Sequence, residues 1–89
     1  MVTILPKRLV DWIEDCIRAG GIPQLVEKYG PRDFLAEGYV LVRCWGAGDK
    51  VPGGLIKLTP EELEVVRKYA KERGAAMKVY EELKRLTYY

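Results

Sequence analysis

Tyr39-Val40-Leu41-Val42-Arg43-Cys44-Trp45 is the stretch on which the fold turns. It is apolar at nearly every position, the pattern expected of a strand covered on both faces. Gly46-Ala47-Gly48-Asp49-Lys50-Val51-Pro52-Gly53-Gly54 follows, and so much glycine can only be a loop. A glycine-rich loop after a strand invites comparison with a phosphate cradle. This one lacks the GxxxxGK[ST] spacing, and Pro52 removes a backbone donor where one would be needed. It reads as a plain connection.

Beyond the loop, Leu55-Ile56-Lys57-Leu58 suits a short extended entry to the next element. Thr59-Pro60-Glu61-Glu62 is a helix start: a threonine cap, a proline in the first turn and a glutamate three residues on. The helix predicted over 60–73 turns Leu63, Val66 and Tyr69 or Ala70 inward, with Gly74 as its stop. Arg67, Lys68, Lys71 and Arg73 crowd its last turns. Favourable placement against the helix dipole accounts for them as a solvated face, the reading preferred over RNA contact. On the other side of the central run, Leu9, Trp12 or Ile13, Cys16 and Ile17 recur at helical spacing. They predict a helix over 6–19, opened by Pro6 and stopped by Gly20-Gly21. The block Ile22–Gly30 stays ambiguous, with Pro23 able to open a short helix over 24–29.

The tail sets local rules against context. Residues 75–86 have high helix propensity, and Val79, Leu83 and Leu86 share one helical face. The same residues also divide into two strands, 76–80 and 86–89, around the acidic turn Glu81-Glu82-Leu83-Lys84.

The chain has 89 residues and a net charge of +2. That length makes one domain, which buries roughly 60–65% of its extended surface, so a partner or self-association is expected. The charge is too small to argue for nucleic acid by itself. No apolar run approaches a membrane span and no signal peptide is recognisable, which predicts a cytoplasmic protein. Cys16 and Cys44 lack zinc-ligand spacing and read most simply as two buried thiols, with a disulfide as the less favoured alternative. No metal or cofactor is expected. Histidine, serine and asparagine are absent and Gln24 is the lone side-chain amide. A hyperthermophile's avoidance of labile residues fits that composition. It does not explain a missing catalytic histidine, so loss of an active site is the competing account.

Read in order, KYGPRDFLAEGYVLVR (Lys28–Arg43), KLTPEELEVVRKYAKERGAAMKVY (Lys57–Tyr80) and LTYY (Leu86–Tyr89) resemble the C-terminal domain of archaeal tRNA-splicing endonucleases. The resemblance rests on the order and spacing of short motifs over about two thirds of the chain. It implies a small mixed α/β domain, restriction-endonuclease-like, with a central sheet flanked by helices and closed by the two tail strands. The family cleaves RNA with a tyrosine, a histidine and a lysine. The interval that would carry the first two shrinks here to Leu35-Ala36-Glu37-Gly38. The lysine's place reads Arg73-Gly74-Ala75-Ala76. With all three roles unfilled, the resemblance implies a catalytically inactive structural subunit that scaffolds a catalytic endonuclease subunit in an α2β2 heterotetramer. Precursor tRNA would be met through that complex. Glu81 and Glu82 would then enter a basic pocket of the partner, and Leu86, Tyr88 and Tyr89 would lie at a dimer interface. Without the resemblance, Glu81 and Glu82 are an ordinary exposed helical pair. Arg32, Arg43, Arg67 and Lys71 are the candidates for contact with RNA.

Two other classes remain. A degenerate nuclease-like domain that binds nucleic acid would need an Asp/Glu–x–Lys metal centre on a strand pair; Asp33, Glu37 and Asp49 are the only acids near the central strand, and none has that spacing. A mostly helical protein-interaction module would instead show helix through the tail.

Overall fold

In the computed structural model, which describes residues 4–48 and 50–87, the decisive run forms β5 (Tyr39–Trp45). It lies in a four-stranded sheet with β1 (Ile4–Leu5), β2 (Ile22–Val26) and β6 (Gly54–Lys57), ordered β1-β6-β5-β2. β5 runs antiparallel to both neighbours, while β1 lies parallel to β6. A parallel pair needs a long crossover, and here the intervening chain includes α1 (Leu9–Arg18), β2 and β5. A two-stranded hairpin, β3 (Lys28–Tyr29) with β4 (Arg32–Asp33), and a 3-10 turn over Leu35–Glu37 lead into β5. After β6 come α2 (Pro60–Tyr69) and α3 (Ala75–Thr87). The result is a small mixed α/β domain.

One face of the sheet carries the core. Val40 and Val42 of β5 and Ile56 of β6 join Leu9, Trp12, Ile13 and Cys16 of α1 in one buried cluster. Val65 and Val66 of α2 and Val79 and Leu83 of α3 close it. Each such side chain stabilises the fold by roughly 1.5–3 kcal/mol. All three helices therefore pack on one side, and β5 is not covered on both faces. Its exposure alternates, with Val40 and Val42 at 0% but Trp45 at 54%. The apolar run misled because Tyr39 and Leu41, on the open side, are as apolar as the core residues between them.

Other expectations shift. α1 begins at Leu9 rather than Pro6, with Arg8 as an N-cap that makes no side-chain hydrogen bond. Residues 22–26 form an edge strand, not a helix; Pro23 is tolerated there because an edge leaves one side of the strand unpaired. The Thr59–Glu62 capping box is present in both directions, at 3.2 Å for Glu62 N–H to Thr59 Oγ1 and 3.0 Å for Thr59 N–H to Glu62 Oε1. α2 stops at Tyr69, short of Arg73, and Gly74 takes a left-handed φ of 77° in the turn to α3.

That turn decides the tail. The closing strands predicted at 76–80 and 86–89 do not form within the described residues: Ala76–Tyr80 and Leu86–Thr87 are helical, and Tyr88 and Tyr89 lie outside them. Ala76, Val79 and Leu83 are spaced three and four apart and all are buried. Local propensity and core packing thus agree on a helix. Cys16 and Cys44, read above as separate thiols, are joined in a disulfide with Cα atoms 5.8 Å apart.

Candidate nucleic-acid interface

Register places Arg43 and Trp45 beside Gln24 and Ile22, their respective partners on β2. On the other side of β5, Tyr39 faces Lys57 and Leu41 faces Leu55 of β6. Because side chains alternate along a strand, these residues share the face turned away from the helices. Arg43, Trp45, Gln24, Ile22 and Lys57 are exposed, Tyr39 and Leu41 are half-buried, and Leu55 is buried between Leu41 and Ile4.

The Trp45 ring is held on both counts that matter for a flat contact. Its indole N–H donates to Gln24 Oε1, and the Arg43 guanidinium carbon sits 5.1 Å from the ring centroid. A cation over an aromatic face contributes roughly 0.5–1 kcal/mol when exposed. Tyr39 lies six positions back along β5, on the order of 20 Å away. Arg43 and Lys57 supply two cations. Among the described residues paired on this face there is no carboxylate, although the chain carries 13 acids.

The other sequence candidates go elsewhere. Arg32 pairs with Glu37 at 3.1 Å and stacks over Phe34 at 5.3 Å. Arg67 and Lys71 border a shallow hollow of about 330 Å³ shared with Lys28, Glu27 and Asp33. Its two acids offset part of its positive charge. Asp33 also accepts from the Ala36 N–H at 3.2 Å, so it is engaged in shaping the turn before β5. Asp49 lies outside the described residues.

The tail candidates change character with α3. Glu81 is exposed on the helix, and Glu82 is half-buried and faces Lys68 of α2 at 3.5 Å. The Glu82 carboxylate is the main cause that raises the Lys68 pKa above its usual 10.5. Leu86 is 53% exposed near the end of α3. Glu82 therefore links two helices of its own chain, the job of a helical surface residue.

Trp45, Tyr39, Lys57 and Gln24 were not singled out from sequence. Position i, i+2 alternation along β5 carried the signal for Tyr39, Arg43 and Trp45; Lys57 and Gln24 needed the strand pairing. Among the described residues no three Cys, Asp or Glu side chains gather as a cation site. No helix of the described residues is long and apolar enough to cross a membrane. No family model, no curated protein and no solved structure matches the chain.

Proposed function

We propose that this domain is a non-catalytic nucleic-acid-binding module that holds single-stranded RNA on the open face of its sheet. The carrying observation is Trp45, held by Gln24 and Arg43, on a face whose described strand-paired residues include cations and no carboxylate. An exposed aromatic ring offers a surface on which a base can stack, worth roughly 1–3 kcal/mol per base, and flanking cations meet the phosphates. A face meant for another protein's apolar surface would have less use for Arg43 and Lys57 on either side of its apolar middle. Fluorescence anisotropy with a labelled single-stranded RNA tests the reading. Trp45→Ala should weaken binding about tenfold, and binding should fall with salt at a log–log slope of about −1.4 for two phosphate contacts. Equal affinity of wild type and Trp45→Ala would sink it.

The likeness to splicing endonucleases supplies a narrower version, in which this module is the structural subunit beside a catalytic partner. Its support is the order of elements along the chain, in which the strand β5 precedes the Thr59-capped helix α2 as that likeness expects. α3 stands where it has the closing strands, so the contact to the partner would run through a helical tail. Co-expression with a catalytic subunit, followed by cleavage of an intron-containing precursor tRNA, tests it. No complex and unchanged cleavage would remove the narrower version and leave RNA binding standing.

A further inference from the structure

A cavity of about 360 Å³ lies between the β1–α1 connection, α1 and the loop after β5. Pro6, Trp12, Val51 and Pro52 give it an apolar lining, and Trp12 and Val51 are buried. Lys7, Asp15, Arg18 and Lys50 form its charged rim. Asp15 is already taken by Lys7, leaving Arg18 and Lys50, both exposed, without an ion pair among the described residues. An apolar hollow with two spare cations at its mouth selects an anion with an apolar body. The lining is also poor in backbone donors. Pro6 and Pro52 have no N–H, and the Pro52 carbonyl is occupied at 3.2 Å by the Trp12 indole N–H. The anion must therefore be met by the side chains of Arg18 and Lys50, while rings of Pro6, Pro52 and Trp12 favour a flat body.

We propose that this cavity is a binding site for a small organic anion with a planar apolar body, a carboxylate or phosphate at one end. Its size falls within the roughly 300–1,000 Å³ of small-molecule sites. The site uses none of the residues of the sheet face, so each can fail without the other.

The Trp12 indole N–H reports directly, since it is bonded across the cavity wall to Pro52. In Trp45→Ala, Trp12 is the one remaining tryptophan, and the stacking ring of the sheet face is gone. Titrating that ¹⁵N-labelled variant with 2-naphthoate and, separately, with AMP should shift the indole cross-peak saturably for at least one of them. A Kd of roughly 0.1–1 mM is expected for naphthoate, a ligand of about a dozen heavy atoms. Saturation by naphthoate alone identifies a carboxylate site, and by AMP a nucleotide site. Arg18→Glu and Lys50→Glu, both at exposed positions, should weaken binding at least fivefold, and Arg85→Glu, exposed on α3 beside a separate hollow, should leave it unchanged. No saturable shift with either ligand, or a shift indifferent to both charge reversals, would overturn the proposal.

Discussion

Cys16 of α1 and Cys44 of β5 are bonded across Gly21, the residue that brings the chain from the helix into β2. The bond closes a loop over 28 positions of sequence and ties the helical layer to the central strand. In the chain-entropy account such a loop stabilises by about 3–4 kcal/mol, a large share of the roughly 5–15 kcal/mol that holds a domain together. Reduction, or replacement of both cysteines by alanine, should lower the melting temperature by roughly 15–25 °C. Thermal melts with and without reductant measure this; coincident curves would show that the link contributes nothing.

Gly21 should tolerate no side chain. A Cβ there would lie 2.9 Å from the Trp45 carbonyl oxygen and 3.1 Å from Cys16 Sγ, and against Cys44 Sγ as well. Gly21→Ala should cost about 2–3 kcal/mol through overpacking against backbone that cannot yield. Gly20 provides the contrast: its φ is +82°, but a Cβ would meet nothing within 4 Å. Gly20→Ala should cost about 1–2 kcal/mol, from left-handed backbone alone. Urea midpoints rank the two, and a larger effect at Gly20 would contradict the geometry.

The difference between these neighbours was invisible in Gly20-Gly21 as letters, and the same division runs through the whole molecule. The Thr59 capping box and the β5 strand were legible because each is written in a few consecutive residues. The open face was not, because it exists only when Gln24 is paired to Arg43 and Lys57 to Tyr39. Arg43 is a candidate by its charge alone, while Trp45, two residues on, has the apolar character of a core residue. In the tail, the helical stripe of Ala76, Val79 and Leu83 was present in the sequence, and the resemblance to a strand-closed domain outweighed it. The cavity beside α1 joins Lys7, Arg18 and Lys50, which no local pattern connects.

Thr59 should matter to α2 out of proportion to its exposure. Its hydroxyl satisfies the Glu62 N–H, and Glu62, only 3% exposed, returns a bond to the Thr59 N–H. Thr59→Ala removes one half of this exchange and should destabilise by about 1 kcal/mol. Thr59→Asp restores an acceptor and should recover most of it. Denaturant titration of the three proteins gives the answer. If alanine and aspartate destabilise equally, the cap is not the reason Thr59 is there.

Leu83 tests whether the tail is the helix that completes the core. It is 3% exposed and belongs to the same buried cluster as Val66 and Val79. Leu83→Ala should cost about 2–4 kcal/mol, as cavity-forming substitutions in cores do. Leu86→Ala, at a position 53% exposed, should stay within roughly 0.5 kcal/mol. In a tail built from strands flanking an acidic turn, Leu83 would sit in the turn and the order would reverse. Two urea curves decide between the arrangements.

The Lys68–Glu82 pair joins α2 to α3 and should show itself only in alkali. Glu82, ahead of Tyr69, raises the Lys68 pKa above 10.5 in the folded chain. A raised lysine pKa means that the folded state holds the proton more tightly than the unfolded one. The resulting stabilisation is fully present below pH 10.5 and drains away as pH rises through the folded value. Lys68 is well exposed, so the effect at neutral pH is that of a surface pair, small and screened by salt. Glu82→Gln abolishes the main cause while leaving Tyr69, the second contributor, common to both proteins. The difference in urea midpoint between wild type and Glu82→Gln should therefore favour wild type at pH 8, shrink as the pH rises above 10.5, and be smaller throughout in high salt. A gap that stays constant across that range would mean that the pair does not hold the two helices together through charge.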